Sequence, residues 1–260
     1  MRRVGLALVG IILIIAIFAP LIAPYTPTEY VGQSLLAPNS SYLLGTNDLG
    51  EDIFSRLLYG ARTSVSIGFF TALLATFFSL LIGVTSALFA GVYDLFWMRL
   101  IDALLAIPTV LIIILIAAFF RVSLWGMIII LSLLSWQQGA RVIRNQSKSL
   151  LKSNFILAAQ GFGAGKLHIT LKHLLSHLLP LLSVQLLMVF RRAVFLEAGM
   201  SFLGVGDPSL VSWGRMIRQA LEYIYLGSWS WWLLPPGVLL TLTILGVVLL
   251  EYGRDSQRSI

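Results

Sequence analysis

Three histidines, a glycine run ending in lysine and a short acidic cluster are the first residues here whose types and spacing invite chemistry. His173 and His177 stand four apart, so one helix face could carry both. A zinc-protease helix places Glu directly after its first His, and that position is Leu174. His168 falls out of phase with the pair, so the three read as interfacial histidines and no metal site is expected. Gly161, Gly163, Gly165 and Lys166 look at a glance like a phosphate loop. Such a loop needs Gly, four residues, then Gly-Lys-Ser/Thr, so that amides cradle phosphate and a hydroxyl holds magnesium. Gln160 replaces the first Gly and Leu167 the hydroxyl residue, which argues against ATP binding by this chain. Asn47, Asp48, Glu51 and Asp52 lack the fixed Gly and oxygen spacing of a calcium loop. They read as a solvated turn or a contact for an external binding protein. Cys is absent, which removes disulfides, thiolate zinc and thiol nucleophiles. No catalytic group is assigned.

The elements that must position these residues are apolar. The 260-residue chain is 58% hydrophobic and 11% charged, against roughly 45–50% and 25% in soluble domains. Its mean hydropathy is +0.92. A disordered chain is excluded and an ordinary soluble enzyme disfavoured. A spanning helix needs about 20 apolar residues to cross a hydrocarbon layer about 30 Å thick. Six stretches qualify: Val4–Ala23, Ser64–Ala90, Leu100–Phe120, Trp125–Val142, Leu174–Leu196 and Trp231–Leu250. Strand-like alternation is weak, so helices rather than a barrel must pair the backbone in lipid. The expected fold is all-α, a polytopic bundle of six transmembrane helices. Arg2 and Arg3 before the first apolar run look like a secretory signal. That run is long for one and lacks a clean cleavage pattern, so it reads as a retained anchor.

The net charge of +7 reads as basic loops on the cytoplasmic side rather than a nucleic-acid surface, and no nucleic-acid partner is expected. With the N-terminus inside, the inner side holds Arg2, Arg3, Arg99, Arg141, Arg144, Lys148, Lys152, Lys166, Lys172, Arg254 and Arg258. The outer side holds Arg56, Arg62, Arg121, Arg215 and Arg218. The bias places both termini in the cytoplasm. Residues 1–63 then form the first helix and an outer segment, and 64–260 form the core, with one substantial inner loop at about 145–173. Trp213, Trp229 and Trp231 suit the interface belt of an outer loop. Gly83, Ala87 and Gly91, four apart, suit close helix packing. Arg99 and Asp102, three apart, read as a local pair.

Within the inner loop, Asn154 is placed to cap a short helix that Gly161 or Gly163 would end. A second helix starts near Lys166, and Leu167, Leu171, Leu174, Leu175 and Leu178 form one stripe along it. Residue types alone leave two uses open: docking into another protein's groove, or lying on lipid headgroups. Arg191 and Arg192 fall about 21 Å into the fifth span, a costly depth for charge that normally faces a cavity or a partner. Glu197 lies outside their favourable i,i+3 and i,i+4 positions. Arg191, Arg192 and Glu197 are the candidates for a substrate pathway, in which at least one Arg attracts an anionic group. The competing reading of the arginines is a structural pair with an acidic residue of a partner chain.

Several of these residues carry a resemblance. Ala158, Ala159, Gly163, Ile169 and Leu179-Pro180 are similar to the cytoplasmic signature of ABC-importer permeases. Leu44-Gly45-Thr46-Asn47-Asp48-Leu49-Gly50, Asp52 and Ser55-Arg56-Leu57-Leu58-Tyr59-Gly60-Ala61-Arg62 resemble the outer segment of the dipeptide/oligopeptide/nickel permease subfamily. So do Met98-Arg99-Leu100 with Asp102, Ala140-Arg141, Glu197-Ala198, Ser201-Phe202-Leu203-Gly204 and Ser212-Trp213-Gly214. The chain resembles the second of the subfamily's two permeases, the one with this short outer segment.

The resemblance implies a type I importer permease fold, with the bent loop as a coupling helix seated in an ATPase cleft. It assigns Asn154, Leu157, Ala158, Ala159, Gly161, Gly163, Lys166, Ile169 and Pro180 to that loop. It implies a homologous permease as heterodimer partner and two cytoplasmic ATPase subunits that hold ATP and Mg, with no cofactor on this chain. An extracellular or lipid-anchored solute-binding protein would deliver cargo: di- or oligopeptides, or a nickel or other metal chelate. The place is a bacterial or archaeal cytoplasmic membrane. Two positions depart from the pattern: Leu157 replaces the signature's leading Glu, and Glu51 replaces a frequent Arg. The alternative class is an ion- or proton-coupled secondary transporter without ATPase partners. Such transporters use paired repeats and mid-membrane carboxylates, and neither is evident here.

Overall fold

In lipid every backbone N–H and C=O must find its partner inside its own segment, and the apolar runs accordingly become helices. The computed structural model describes residues 1–120 and 122–255. Arg121 and Arg258, which entered the charge count, lie outside the described residues, as does the Arg254 side chain. In chain order the helices are α1 (Arg2–Ile22), α2 (Ile53–Phe89), α3 (Gly91–Ala106), α4 (Thr109–Phe119) and α5 (Leu124–Leu133). Then come α6 (Trp136–Leu151), α7 (Asn154–Gly161), α8 (Lys166–Phe202), α9 (Trp213–Glu222) and α10 (Leu234–Asp255). A one-turn helix, Trp229–Trp232, precedes α10. Extended pairing among the described residues is confined to two isolated bridges, Tyr30–Glu51 and Thr46–Asp52.

Among the described residues four helices are long and apolar enough to cross a membrane, and the number rises to as many as six when each of two bent pairs is counted as one span. The third expected span is not one rod. α3 and α4 meet at 74°, because Pro108 has no N–H to continue the ladder and drives the residue before it out of the helical region. Ile107 sits at φ −89°, ψ 122°. The fourth span is likewise α5 and α6 at 43°, and it runs on to Leu151 rather than ending at Val142. Lys148 is therefore helical, not in a loop. The second span begins at Ile53, not Ser64. Asp52 caps it, its Oδ2 accepting from Ser55 N at 2.8 Å and Ser55 Oγ at 2.7 Å. Arg56, expected in an outer loop, lies in this first turn. It is buried, ion-paired to Glu51, and donates to Pro27 O at 3.0 Å and Gln219 Oε1 at 2.9 Å.

Contacts divide the chain into two units. Among the described residues the first comprises Met1–Phe70, Ile113–Ile128 and 190–255. In it α1 lies against α10, so close that a Cβ on Gly5 would stand 2.8 Å from Gly246 O. The 23–52 segment folds onto the start of α2. There the acidic cluster is not solvated: Asn47, Glu51 and Asp52 are buried. Asn47 Oδ1 accepts from Leu49 N and Glu51 N at 3.0 and 2.8 Å. Thr46 Oγ1 donates to Gln33 O at 2.6 Å and accepts from Leu36 N at 2.9 Å.

The second unit comprises Thr71–Ile112 and Ile129–Val189. Here α2 and α6 touch at Gly83, where a Cβ would stand 2.8 Å from Ala140 O. Gly83 thus serves the packing its spacing suggested, while Gly91 (φ +55°) follows the break between α2 and α3. Asp102 pairs with Arg141 of α6, not with Arg99, because the α3–α6 contact brings a second-helix guanidinium to it.

The 23–52 fold depends on Gly45, held at φ +71° with its Cβ direction 2.2 Å from Leu36 O. Gly45→Ala combines a left-handed backbone with a clash, and is expected to cost about 2–5 kcal/mol locally. Limited proteolysis should then cut within 23–52 faster while helix content by circular dichroism stays constant.

Candidate functional site

The helix α7 and the bend after it are built by backbone geometry. Ser153, not Asn154, occupies the cap position. It is extended (φ −74°, ψ 146°), and its carbonyl accepts from Ile156 N and Leu157 N at 3.1 and 3.0 Å. Asn154 is the first helical residue. Gly161 is the last, and Gly163 turns left-handed at φ +86°. Gly163 N donates to Gln160 O at 2.9 Å and Ala164 N to Ala159 O at 3.0 Å. That paired closure is the Schellman ending, which favours glycine at this position. No atom lies within 4 Å of a Cβ built on Gly163, so the demand for glycine is conformational, not steric. Gly165 (φ −71°, ψ 162°) then opens α8.

One buried side chain anchors α7. Ile156 is fully buried in a cluster with Val84, Ile143, Ile169, Leu174 and Leu178. The rest of the elbow faces outward: Phe162 is 93% exposed and Leu157 50%. Asn154, Ala158, Gly161, Gly163 and Lys166 are exposed, and Ala159 is half-buried. Ala159, Phe162, Gly163, Ala164, Gly165 and His168 border a concave surface of about 450 Å³. Ile169 is buried and so is an anchor of the elbow, while Pro180 is exposed within α8. Phe162, the most prominent apolar group of the bend, is not among the residues expected from the sequence. Its position between two glycines, where helix cannot cover it, was the available signal.

The leucine stripe is not one stripe. Ile169–Leu174 is a π-helical turn, whose wider winding carries Ile169, Leu174 and Leu178 inward. Leu167 and Leu171 remain exposed and line an apolar groove of about 430 Å³ with Phe77, Leu81, Val84 and Phe89. Lys166 Nζ stands 5.4 Å from the Phe89 ring centre, a cation–π contact. The same turn brings His168 within 5.8 Å of His173, ring to ring, although straight α-helical spacing sets it out of phase. His177 stacks on Phe155 at 4.9 Å. No group of three or more His, Cys, Asp or Glu able to hold a metal ion occurs among the described residues.

A second constellation joins stretches far apart in sequence. Glu197 of α8 is buried, its Oε2 accepting from Ser64 Oγ of α2 and its Oε1 from Ser201 Oγ, both at 2.7 Å. Trp213, fully buried, donates its indole N–H to Leu57 O at 3.1 Å and its backbone N–H to Ser64 Oγ at 3.4 Å. A Cβ on Gly214 would stand 2.3 Å from Ala198 O. Glu197-Ala198, Ser201 and Ser212-Trp213-Gly214 thus meet at one packing site. Glu197 lies apart from Arg191, which approaches Glu251 of α10 at 3.4 Å, with 38% of its own side chain exposed. The arginine's acidic neighbour is in its own chain.

Residues 79–252 match the family of binding-protein-dependent transport system inner membrane components, and the chain belongs to it. It is the membrane-embedded permease subunit of an ABC importer, a class that works with ATPase and permease partners, and the stand-alone secondary transporter is thereby set aside. Residues 1–38 match the N-terminal transmembrane domain of oligopeptide transport permease C. The chain is 33% identical over 262 aligned positions to the dipeptide transport system permease protein of Haemophilus influenzae, covering 97% of this chain and 88% of that one. It is 32% identical over 257 residues to a candidate peptide permease of Brucella suis, covering 98% and 84%. The fold is similar to that of an inward-facing form of the MetNI methionine ABC transporter. The TM-score is 0.59 at 20% identity, covering 77% of this chain and 94% of that one.

The Glu197 cluster generates a stability test. Glu197→Ala strands two buried hydroxyls and opens a void, and is expected to cost about 2–5 kcal/mol. The thermal unfolding midpoint of the micelle-held chain should fall accordingly. Glu197→Gln keeps shape and hydrogen-bonding capacity and should lower the midpoint less.

Proposed function

We propose that this chain forms half of the translocation pore of a peptide importer, and that its α7 elbow receives the stroke of a cytoplasmic ATPase. A homologous permease supplies the other half. Two ATPase subunits hold ATP and Mg, and an external or lipid-anchored solute-binding protein delivers cargo. The setting is a bacterial or archaeal cytoplasmic membrane with both termini inside. The names of the relatives and the resemblance in the 44–62 stretch support di- or oligopeptides as cargo, with a metal chelate such as nickel as the related possibility.

The observation that carries the docking role is the elbow itself. A short helix is held to the core by buried Ile156 and by Phe155 stacked on His177, closed by a left-handed glycine, and presents Phe162 and Leu157 outward. Apolar groups on a rigid bend suit insertion into a protein groove. With Leu157 in the signature's Glu position, the contact rests on shape and apolar area rather than on a carboxylate. Transport is then a shift between inward- and outward-open populations, biased by nucleotide at the partners.

Arg191 and Arg192 are proposed to border the path and attract anionic cargo groups, Arg191 under the restraint of Glu251. Glu197, with both oxygens held by serines, serves packing rather than cargo in this state. If Arg191→Gln with Arg192→Gln leaves uptake and cargo preference unchanged in an assembled transporter, the pathway role fails.

Gly163→Pro removes the N–H that closes α7 and forces φ from +86° to about −65°. It should abolish co-purification of the ATPase subunits. Gly163→Ala, strained by about 1–2 kcal/mol, should only weaken it. Retention of the ATPase by Gly163→Pro, or solute uptake by the purified chain without ATP or partners, overturns this reading.

A further inference from the structure

The second unit contains an ion cluster that none of the signature stretches includes. Asp94 lies in the first turn of α3 and is buried. Its carboxylate is gripped by Arg144, through Nε on one oxygen and Nη2 on the other, and by Lys148 Nζ at 2.7 Å. Arg144 and Lys148 stand four apart on one face of α6. Asp94 at the start of α3 and Lys148 in the last turn of α6 are each favoured by their helix dipole. The bidentate guanidinium adds directional strength.

The position of this cluster matters more than its strength. Ile143, the residue before Arg144, belongs to the buried cluster that contains Ile156, the single buried side chain of α7. One side of that stretch of α6 therefore holds the elbow and the adjoining side holds α3. Between them α6 has little freedom, since α2 presses on Ala140 and Ile143 at Gly83.

We propose that Asp94 is a positioning residue that makes α3, α6 and α7 move as one body, so that displacement of the elbow becomes displacement of α3. Part of this rests on the elbow being the ATPase contact, and the experiment separates the two. The chain has no Cys, which permits site-specific spin labels at Val92→Cys in α3 and Gln160→Cys in α7, both exposed positions. Asp94→Asn removes the charge at constant shape and leaves Arg144 and Lys148 facing each other without a counter-ion.

In nanodiscs holding the chain alone, the distance distribution between the labels should be narrow with Asp94 and broad with Asp94→Asn. The swapped pair Asp94→Arg with Arg144→Asp should narrow it again, which loss of folding would not allow. In the full transporter the distance should stay constant on adding ATP and vanadate with Asp94, and should change with Asp94→Asn. A general loosening would broaden both nucleotide states alike. An Asp94→Asn distribution as narrow as that of Asp94, or one that does not respond to nucleotide, overturns the proposal. So does a nucleotide-dependent distance with Asp94 in place. Failure of the ATPase to co-purify with the chain carrying Asp94 counts against the docking role instead. The nanodisc measurement then decides the clamp by itself.

Discussion

Two apolar helices in lipid gain nothing by hiding from the solvent, because the hydrocarbon around them is as apolar as they are. What remains is contact distance. Small residues let backbones approach and multiply dispersion contacts that are individually minor. The molecule uses this at several of its helix pairs. Gly5 meets Gly246 between α1 and α10, Gly83 meets Ala140 between α2 and α6, and Gly214 meets Ala198 between α9 and α8. Gly68 faces Val194, whose methyl would stand 2.5 Å from an added Cβ. The spacing of glycine in the apolar runs therefore carries more of the architecture than the identity of the large aliphatic residues between them. Many of those are exposed: Leu13, Leu74, Leu111 and Leu115 among them.

Polar groups buried among these helices do a different job. A carboxylate there is tolerable only when its oxygens are occupied, and the partners it recruits come from other segments. Glu197 takes hydroxyls from α2 and from α8 itself. Glu51 takes the guanidinium of Arg56, which in turn reaches Pro27 and Gln219. Asp94 takes two cations from α6. Close packing sets how near the helices approach, and these directional bonds add a fixed register.

The apolar runs were readable because a spanning helix is a one-dimensional pattern of length and hydropathy. The bends were less so. Pro108 stood in plain view within Leu100–Phe120, but hydropathy is blind to a missing N–H. The start of α2 at Ile53 rather than Ser64 is hidden from hydropathy because Arg56 and Asp52 look like loop charge. Their burial depends on Glu51, Pro27 and Gln219, which a linear reading does not bring together. The expected pairing of Asp102 with Arg99 gives way to Arg141 for the same reason, since local spacing is visible and a second helix is not. The glycine elbow was legible almost to the residue, because φ > 0 is a local demand. Asn154 as the cap was off by one, Ser153 being equally suited by type. Glu197-Ala198 and Ser212-Trp213-Gly214 were singled out as motifs by resemblance. Their meeting at Ser64 is a three-dimensional fact that neither motif contains.

The π turn at Ile169–Leu174 changes what chain length means at that point. An α-helix advances about 100° per residue, and the inserted turn absorbs one residue without lengthening the rod in proportion. Removing a single residue there would let the turn wind as α-helix and leave the Lys166 and Leu178 ends close to their present azimuths. The same deletion in plain α-helix on either side would swing the bend by about 100°. At this site the rod absorbs a change of length that it would not absorb elsewhere.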